Sequence, residues 1–144
     1  MKSTLRYDLR QNIVNKNLEY VIAKTVSAFL NSEGGILIIG VDDNGNALGL
    51  EKDIETFSKK DVDGFELHLR NIIKKHLGSN FEKHLKITFP IIDEKTICKV
   101  KILKSGKPVF ANFEGKDSFY VRNGNSSIPK NREEQSEYEK LHWK

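Results

Sequence analysis

Two adjacent carboxylates stand at a point in the sequence where a chain reversal is expected. Asp42 and Asp43 follow the apolar run 36–41 and precede Asn44-Gly45-Asn46. Asp and Asn favour turns because their side chains bond their own backbone, so a hairpin turn is the first interpretation. The alternative is a catalytic, metal-binding carboxylate at Asp42, because Mg²⁺ and Mn²⁺ prefer oxygen ligands. Only on that alternative do we expect a metal cofactor.

A set of basic residues offers a different chemistry, the binding of phosphate groups. Lys99 and Lys101 alternate with the apolar residues of the segment 98–102, so period-two geometry puts both lysines on one strand face. Lys104 and Lys107 follow directly. Such a face can simply be solvated, or it can contact phosphates and position a nucleic acid without reading its sequence.

A second group of polar residues lies later in the chain, at 120–125. Tyr120 and Arg122 share one strand face, where an aromatic ring could stack on a base while a cation contacts phosphate. Asn123 and Asn125 follow in a polar turn whose backbone N–H groups could receive an oxyanion. The alternative for Tyr120 is that its ring only covers the edge of the sheet.

Composition excludes several other classes of protein. The chain carries 24 Lys and Arg against 20 Asp and Glu, a mildly basic balance that suits either an ordinary surface or a polyanionic partner. With the single cysteine Cys98 there is no internal disulfide and no multi-cysteine zinc site, and a reducing cytoplasm is the expected location. We find no apolar leader or membrane-spanning run, and no glycine-rich phosphate loop. Zinc-ligand spacing is also absent from the four histidines, which are His68, His76, His84 and His142.

Periodicity then predicts the elements that position these groups. Apolar residues recur at helical spacing from about Asn15 to the glycine pair 34–35, and a buried strand follows at 36–41. The segment 47–50 is predicted to return as a short strand, and 51–60 is a polar connection. A second amphipathic helix is expected over 61–77, with Asp61 as its N-cap and Gly78 as its stop.

The second half of the chain is predicted to be rich in strands. Strands are expected at 85–92, 96–104, 109–113 and 119–122, followed by a charged C-terminal helix at 132–143. The prediction for residues 1–144 is one α+β domain in which two amphipathic helices pack on a mixed, mostly antiparallel sheet.

At this point the sequence resembles a known family. The stretch AKTVSAFLNSEGGILIIGVDDNGNALGL, the late FYVRNGNSSIP and the opening KSTLRYDLRQN are together similar to the Schlafen-type AlbA-like domain. The resemblance implies an AlbA-like topology and DNA or RNA as the partner. In some animal members three acidic residues form a metal-dependent ribonuclease site; Asp42 matches the third, while both glutamates of that set would precede Met1.

Three functional hypotheses follow from the sequence. The first is a nucleic-acid-binding domain of a transcriptional-regulator-like protein, which contacts DNA through the basic sheet face and the YVRNGN segment. The second is a divalent-metal-dependent ribonuclease that uses Asp42. The third is a homodimeric assembly domain, because closed two-fold dimers are the commonest soluble oligomers and two such lobes pack side by side in animal relatives.

Overall fold

The computed structural model describes residues 2–6, 16–42, 44–50 and 61–143. Three α-helices occur in this part of the chain, α1 (Lys16–Leu30), α2 (Val62–Leu77) and α3 (Arg132–His142). The strands are β1 (Lys2–Arg6), β2 (Gly35–Val41), β3 (Leu85–Thr88), β4 (Ile91–Ile92), β5 (Lys95–Thr96), β6 (Cys98–Ile102), β7 (Phe110–Phe113), β8 (Lys116–Asn123) and β9 (Ser126–Lys130). The predicted polar connection at 51–60 lies outside the described residues, as does Asn15, the expected start of the first helix.

Four strands form the main sheet, in the order β1-β2-β6-β3. β1 runs parallel to β2, whereas β2–β6 and β3–β6 are antiparallel pairs. Leu37, Ile39 and alternate residues of β6 point to one side, where they form a common core with the apolar stripes of α1 and α2. The predicted α+β class, with a mixed and mostly antiparallel sheet packed by two helices, is confirmed.

The joint between α1 and β2 is tight for a steric reason. Gly34 has a φ of 76°, and its N–H donates to the carbonyl of Phe29 to close the helix. A Cβ on Gly35 would lie 2.3 Å from the ring of Phe29. The glycine pair therefore ends the helix and lets the strand return against it, as the sequence indicated.

The second helix also begins and ends as predicted. The carboxylate of Asp61 accepts the N–H of Gly64 at 2.9 Å, which satisfies one of the free donors of the first turn. Gly78 follows the last turn with a φ of 92° and donates its N–H to the carbonyl of Lys74. These two caps hold the apolar stripe of α2 on the core.

The strands differ from the prediction in several places, and one of them is the predicted strand 96–104, which is divided between β5 and β6 and ends at Ile102. The predicted strand 85–92 stops at Thr88, because Pro90 removes a ladder donor, and a separate short hairpin forms from β4 and β5. At 47–50 the return strand is reduced to one bridge, between Ala47 and Val41. Ser126 and Ser127 were predicted to lie in the polar turn but begin β9, because Asn123 pairs directly with Ser126 across a two-residue turn.

A small sheet, in the order β7-β8-β9, packs against α1. Asn31, fully buried just after α1, joins the two: its amide donates to the carbonyls of Val109 and Tyr120 and accepts the N–H of Val109, each at 2.8 Å. α3 closes the fold, because Tyr138 donates to the carbonyl of Asn31 at 2.6 Å. None of the helices in the described residues has both the length and the apolar character to cross a membrane.

Candidate nucleic-acid interface

The outward side of the main sheet carries a group of lysines placed together by strand register. Lys101 of β6 lies directly opposite Lys86 of β3, and Lys99 lies opposite Thr88. On the other side of β6, the same two lysines pair with Ile36 and Ile38 of β2. We call this surface the cationic sheet face; it consists of Lys86, Lys99, Lys101, Ile36, Ile38 and Thr88. The predicted alternation of β6, with lysines outward and apolar residues inward, is confirmed.

Within the described part of the chain, the lysines of the cationic sheet face have no acidic partner. Among the described residues, no carboxylate lies within ion-pair distance of Lys86, Lys99 or Lys101. Like charges directly opposite each other on neighbouring strands are destabilising, so the arrangement favours an anionic partner.

A recess adjoins the face at the edge strand β3. It has a volume of about 240 Å³, and its lining includes Lys83 and the exposed side chain of Leu103, as well as Lys86 and Lys101. Lys83 thus adds a fourth cation at the rim of the cationic sheet face. The recess and the cationic sheet face share Lys86 and Lys101.

The other two predicted lysines lie away from this face. Lys104 follows the end of β6, and its ammonium is 3.9 Å from a carboxylate oxygen of Glu33, just beyond α1. Lys107 belongs to a loop held by Ser105, whose hydroxyl donates to the Lys107 carbonyl at 2.8 Å and accepts its N–H at 3.2 Å. The structure therefore does not bring Lys104 and Lys107 onto the same surface as Lys99 and Lys101.

Arg122 has an internal structural role in the small sheet. Its guanidinium lies 5.0 Å from the ring centre of Phe29 and donates to the hydroxyl of Ser127 at 2.9 Å and to the carbonyl of Gly124 at 3.2 Å. Burial lowers the pKa of Arg122. The side chain therefore fastens the β8–β9 hairpin to α1, and a phosphate would have to compete with these contacts.

Tyr120 is similarly engaged, while its neighbours in the turn are open to solvent. The Tyr120 ring packs against the core, and the ammonium of Lys24 lies 6.0 Å from its centre. Asn123 and Asn125 are exposed at the β8–β9 turn. Because α1 covers the inner side of the main sheet and β8 packs on α1, the YVRNGN segment and the cationic sheet face lie on opposite sides of the main sheet.

The carboxylate of Asp42 is used by its own turn. Oδ1 accepts the N–H groups of Asn44 and Asn46 at 2.9 and 2.8 Å, and Oδ2 accepts the side-chain amide of Asn46 at 3.3 Å. Asp43 lies outside the described residues. In the part of the chain that the structure describes, no three His, Cys, Asp or Glu side chains approach each other closely enough to hold a metal ion. Among the described residues, the contacts of the Asp42 carboxylate are those of a turn residue, which is the first of the two interpretations from the sequence.

Two residues that matter for this arrangement were not identified from the sequence. Lys86 alternates with apolar neighbours like any surface lysine, and only the pairing register of β3 with β6 places it beside Lys101. Asn31 carries a clearer signal, because it is a polar residue next to the apolar stripe of α1 and its burial requires hydrogen-bond partners.

Comparison with known proteins adds a family and a fold. A family model described as Schlafen, AlbA_2 matches residues 3–131. No curated protein matches the chain. Among solved structures, the DIP2311 protein from Corynebacterium diphtheriae matches with a TM-score of 0.68 and 20% sequence identity. The alignment covers 98% of this chain and 27% of that protein, so the chain spans about a quarter of its length. At this identity the likeness shows the fold alone.

Proposed function

Because the chain belongs to the Schlafen AlbA_2 family, we propose that it is a nucleic-acid-binding domain whose cationic sheet face contacts the phosphate backbone. The resemblance of the sequence to Schlafen-type AlbA-like domains suggests the class of partner. The location of the contact rests on the structure of this chain. The family resemblance suggests a more specific form of this proposal, in which the domain binds DNA and has a role in transcriptional regulation.

One observation carries the proposal. Lys86, Lys99 and Lys101 share one face of the sheet, and no described acid lies within ion-pair distance of any of them. Lys86 and Lys101 have Cβ atoms about 5 Å apart as a directly opposed pair, and Lys99 stands about 7 Å from Lys101 along the strand. Three positive charges this close repel each other in the free protein. A row of phosphates removes that repulsion and releases the counterions condensed on the nucleic acid.

The same surface predicts weak dependence on base sequence. Lysine is a flexible point charge that suits phosphate, whereas base readout depends mainly on planar donors and acceptors aimed at base edges. The residues beside the lysines on the neighbouring strands are Ile36, Ile38 and Thr88, and none of them carries a planar donor and acceptor group. We therefore expect this face to position a nucleic acid by its backbone.

A salt titration tests the proposal. Binding of a fluorescein-labelled DNA duplex should weaken as salt rises, with the logarithmic slope becoming steeper by about 0.9 for each phosphate neutralised. In the double variant Lys99→Gln/Lys101→Gln the slope should therefore fall by about 1.8. Lys74→Gln is the matched control, because Lys74 is an exposed lysine on α2, on the opposite side of the sheet.

Two results would contradict the proposal. If the wild-type protein binds neither duplex DNA nor structured RNA at about 50 mM salt, the domain lacks the expected electrostatic affinity. If it binds but the double variant keeps the wild-type slope, the contact lies elsewhere on the molecule. Circular dichroism of both variants establishes that the fold is retained.

A further inference from the structure

A second surface combines an exposed aromatic ring with cations that have no ion-pair partner among the described residues. A groove of about 620 Å³ runs between the small sheet and the first turn of α3. Phe110, Phe119 and Pro129 form the apolar part of its lining. Phe119 is buried, whereas Phe110 exposes 41% of its surface. This groove is separate from the cationic sheet face, which lies on the main sheet.

Strand pairing places the aromatic and cationic groups on one row. Phe110 of β7 is opposite Phe119 of β8, and Phe119 is in turn opposite Lys130 of β9. The two rings lie 5.8 Å apart and are tilted by 55°. An open ring with an ammonium two strands away is the combination used for single strands, where bases stack on aromatic side chains and cations follow the backbone.

Charge in the groove favours an anionic ligand. Lys116, Lys130 and Arg132 line it, and no described carboxylate lies within ion-pair distance of any of them. Two acids also line the groove, which leaves its lining with a net charge of +1, and each acid accepts a hydrogen bond from an amide. Asp117 accepts the side-chain amide of Asn112 at 2.8 Å, and Glu134 accepts the N–H of Asn131, the N-cap of α3, at 3.0 Å.

We propose that this groove binds an unpaired nucleotide of a single-stranded nucleic acid, with its base on Phe110 and its phosphates near Lys130 and Arg132. The inference rests on the proposed function for the class of ligand, and it adds a preference for single strands. A duplex keeps its bases stacked inside the helix, so it gains nothing from Phe110.

The experiment compares a labelled oligodeoxythymidylate with a labelled duplex. Phe110→Leu removes the aromatic ring but keeps an apolar side chain, and it should weaken single-strand binding about tenfold while leaving duplex binding unchanged. Phe110→Tyr preserves the ring and should bind like the wild type. Lys130→Gln should reduce the salt slope on the single strand by about 0.7.

The outcomes distinguish the groove site from the cationic sheet face. Equal single-strand affinities of Phe110→Leu and wild type would overturn the groove site, while salt-dependent duplex binding would leave the cationic sheet face standing. Loss of duplex binding in Lys99→Gln/Lys101→Gln with single-strand binding retained would support both sites as separate. Displacement of the oligonucleotide by a short polyglutamate of equal charge would overturn the inference by assigning the groove to acidic peptides.

Discussion

Replacing Lys86 by threonine should strengthen the fold and weaken binding at the same time. Lys86 lies directly opposite Lys101, and no described carboxylate is within ion-pair distance of either lysine. Removing one of two opposed like charges should raise the free energy of unfolding by roughly 0.2–1 kcal/mol. Threonine is also a good strand former, so the substitution keeps the backbone preference of β3.

The loss in binding follows from counterion release. One fewer phosphate contact reduces the salt slope by about 0.9, so affinity for duplex DNA should fall about eightfold at 0.1 M salt and about fifteenfold at 0.05 M. Urea denaturation measures the first effect and fluorescence anisotropy at several salt concentrations the second. Lys86→Arg is the control, because it keeps the charge and should leave both quantities near the wild-type values.

A rival explanation for Lys86 predicts a different pair of results. β3 is at the edge of the main sheet, and lysines on edge strands prevent association with other sheets. If that is its only role, Lys86→Thr should increase light scattering with protein concentration while DNA affinity and salt slope stay unchanged. That outcome would refute the reasoning from register to phosphate binding.

Three further predictions concern the framework around these surfaces. Asn31→Ala should lower the free energy of unfolding, measured in urea, by about 3–5 kcal/mol. The reason is that the peptide groups of Val109 and Tyr120 lose their partner, and each buried group left unpaired costs about 1–3 kcal/mol. A smaller loss would mean that water replaces the amide. Glu94 has a φ of 64° in the β4–β5 turn, so Glu94→Gly should raise the melting temperature, with a gain of about 0.5–1 kcal/mol; a lower melting temperature would contradict this. Burial, together with Lys104, lowers the pKa of His142, so the folded protein binds fewer protons than the unfolded chain, and stability should fall as pH drops below 6.5. Urea unfolding followed by Trp143 fluorescence should show this loss, and His142→Asn should lack it.

Much of the local structure could be predicted from the sequence, because it depends on short-range rules. The two amphipathic helices follow from apolar spacing, and their ends follow from Asp61, Gly78 and the glycine pair 34–35. The turn at Asp42 follows from side chains that bond their own backbone. The resemblance to Schlafen-type AlbA-like domains also depended only on the sequence, and the family model confirms it.

Which residues form the candidate interface could be determined only from the tertiary structure, because it depends on which strands pair and in which register. Sequence spacing placed Lys99 and Lys101 on one face, but Lys86 joins them only because β3 pairs with β6. The grouping of those lysines with Tyr120 and Arg122 came from similar chemistry at separate positions, and the fold puts the two groups on opposite sides of the main sheet.

The groove beside α3 also combines features that the sequence determines with features that only the tertiary structure decides. Phe110 and Lys130 are 20 positions apart in the chain and have no local pattern in common, yet both flank Phe119 across the small sheet. Periodicity determines which side of its own strand a residue faces, because that depends only on backbone geometry. Which residues become neighbours is decided by the packing of the whole chain, because burying the apolar faces of both sheets selects one pairing among many.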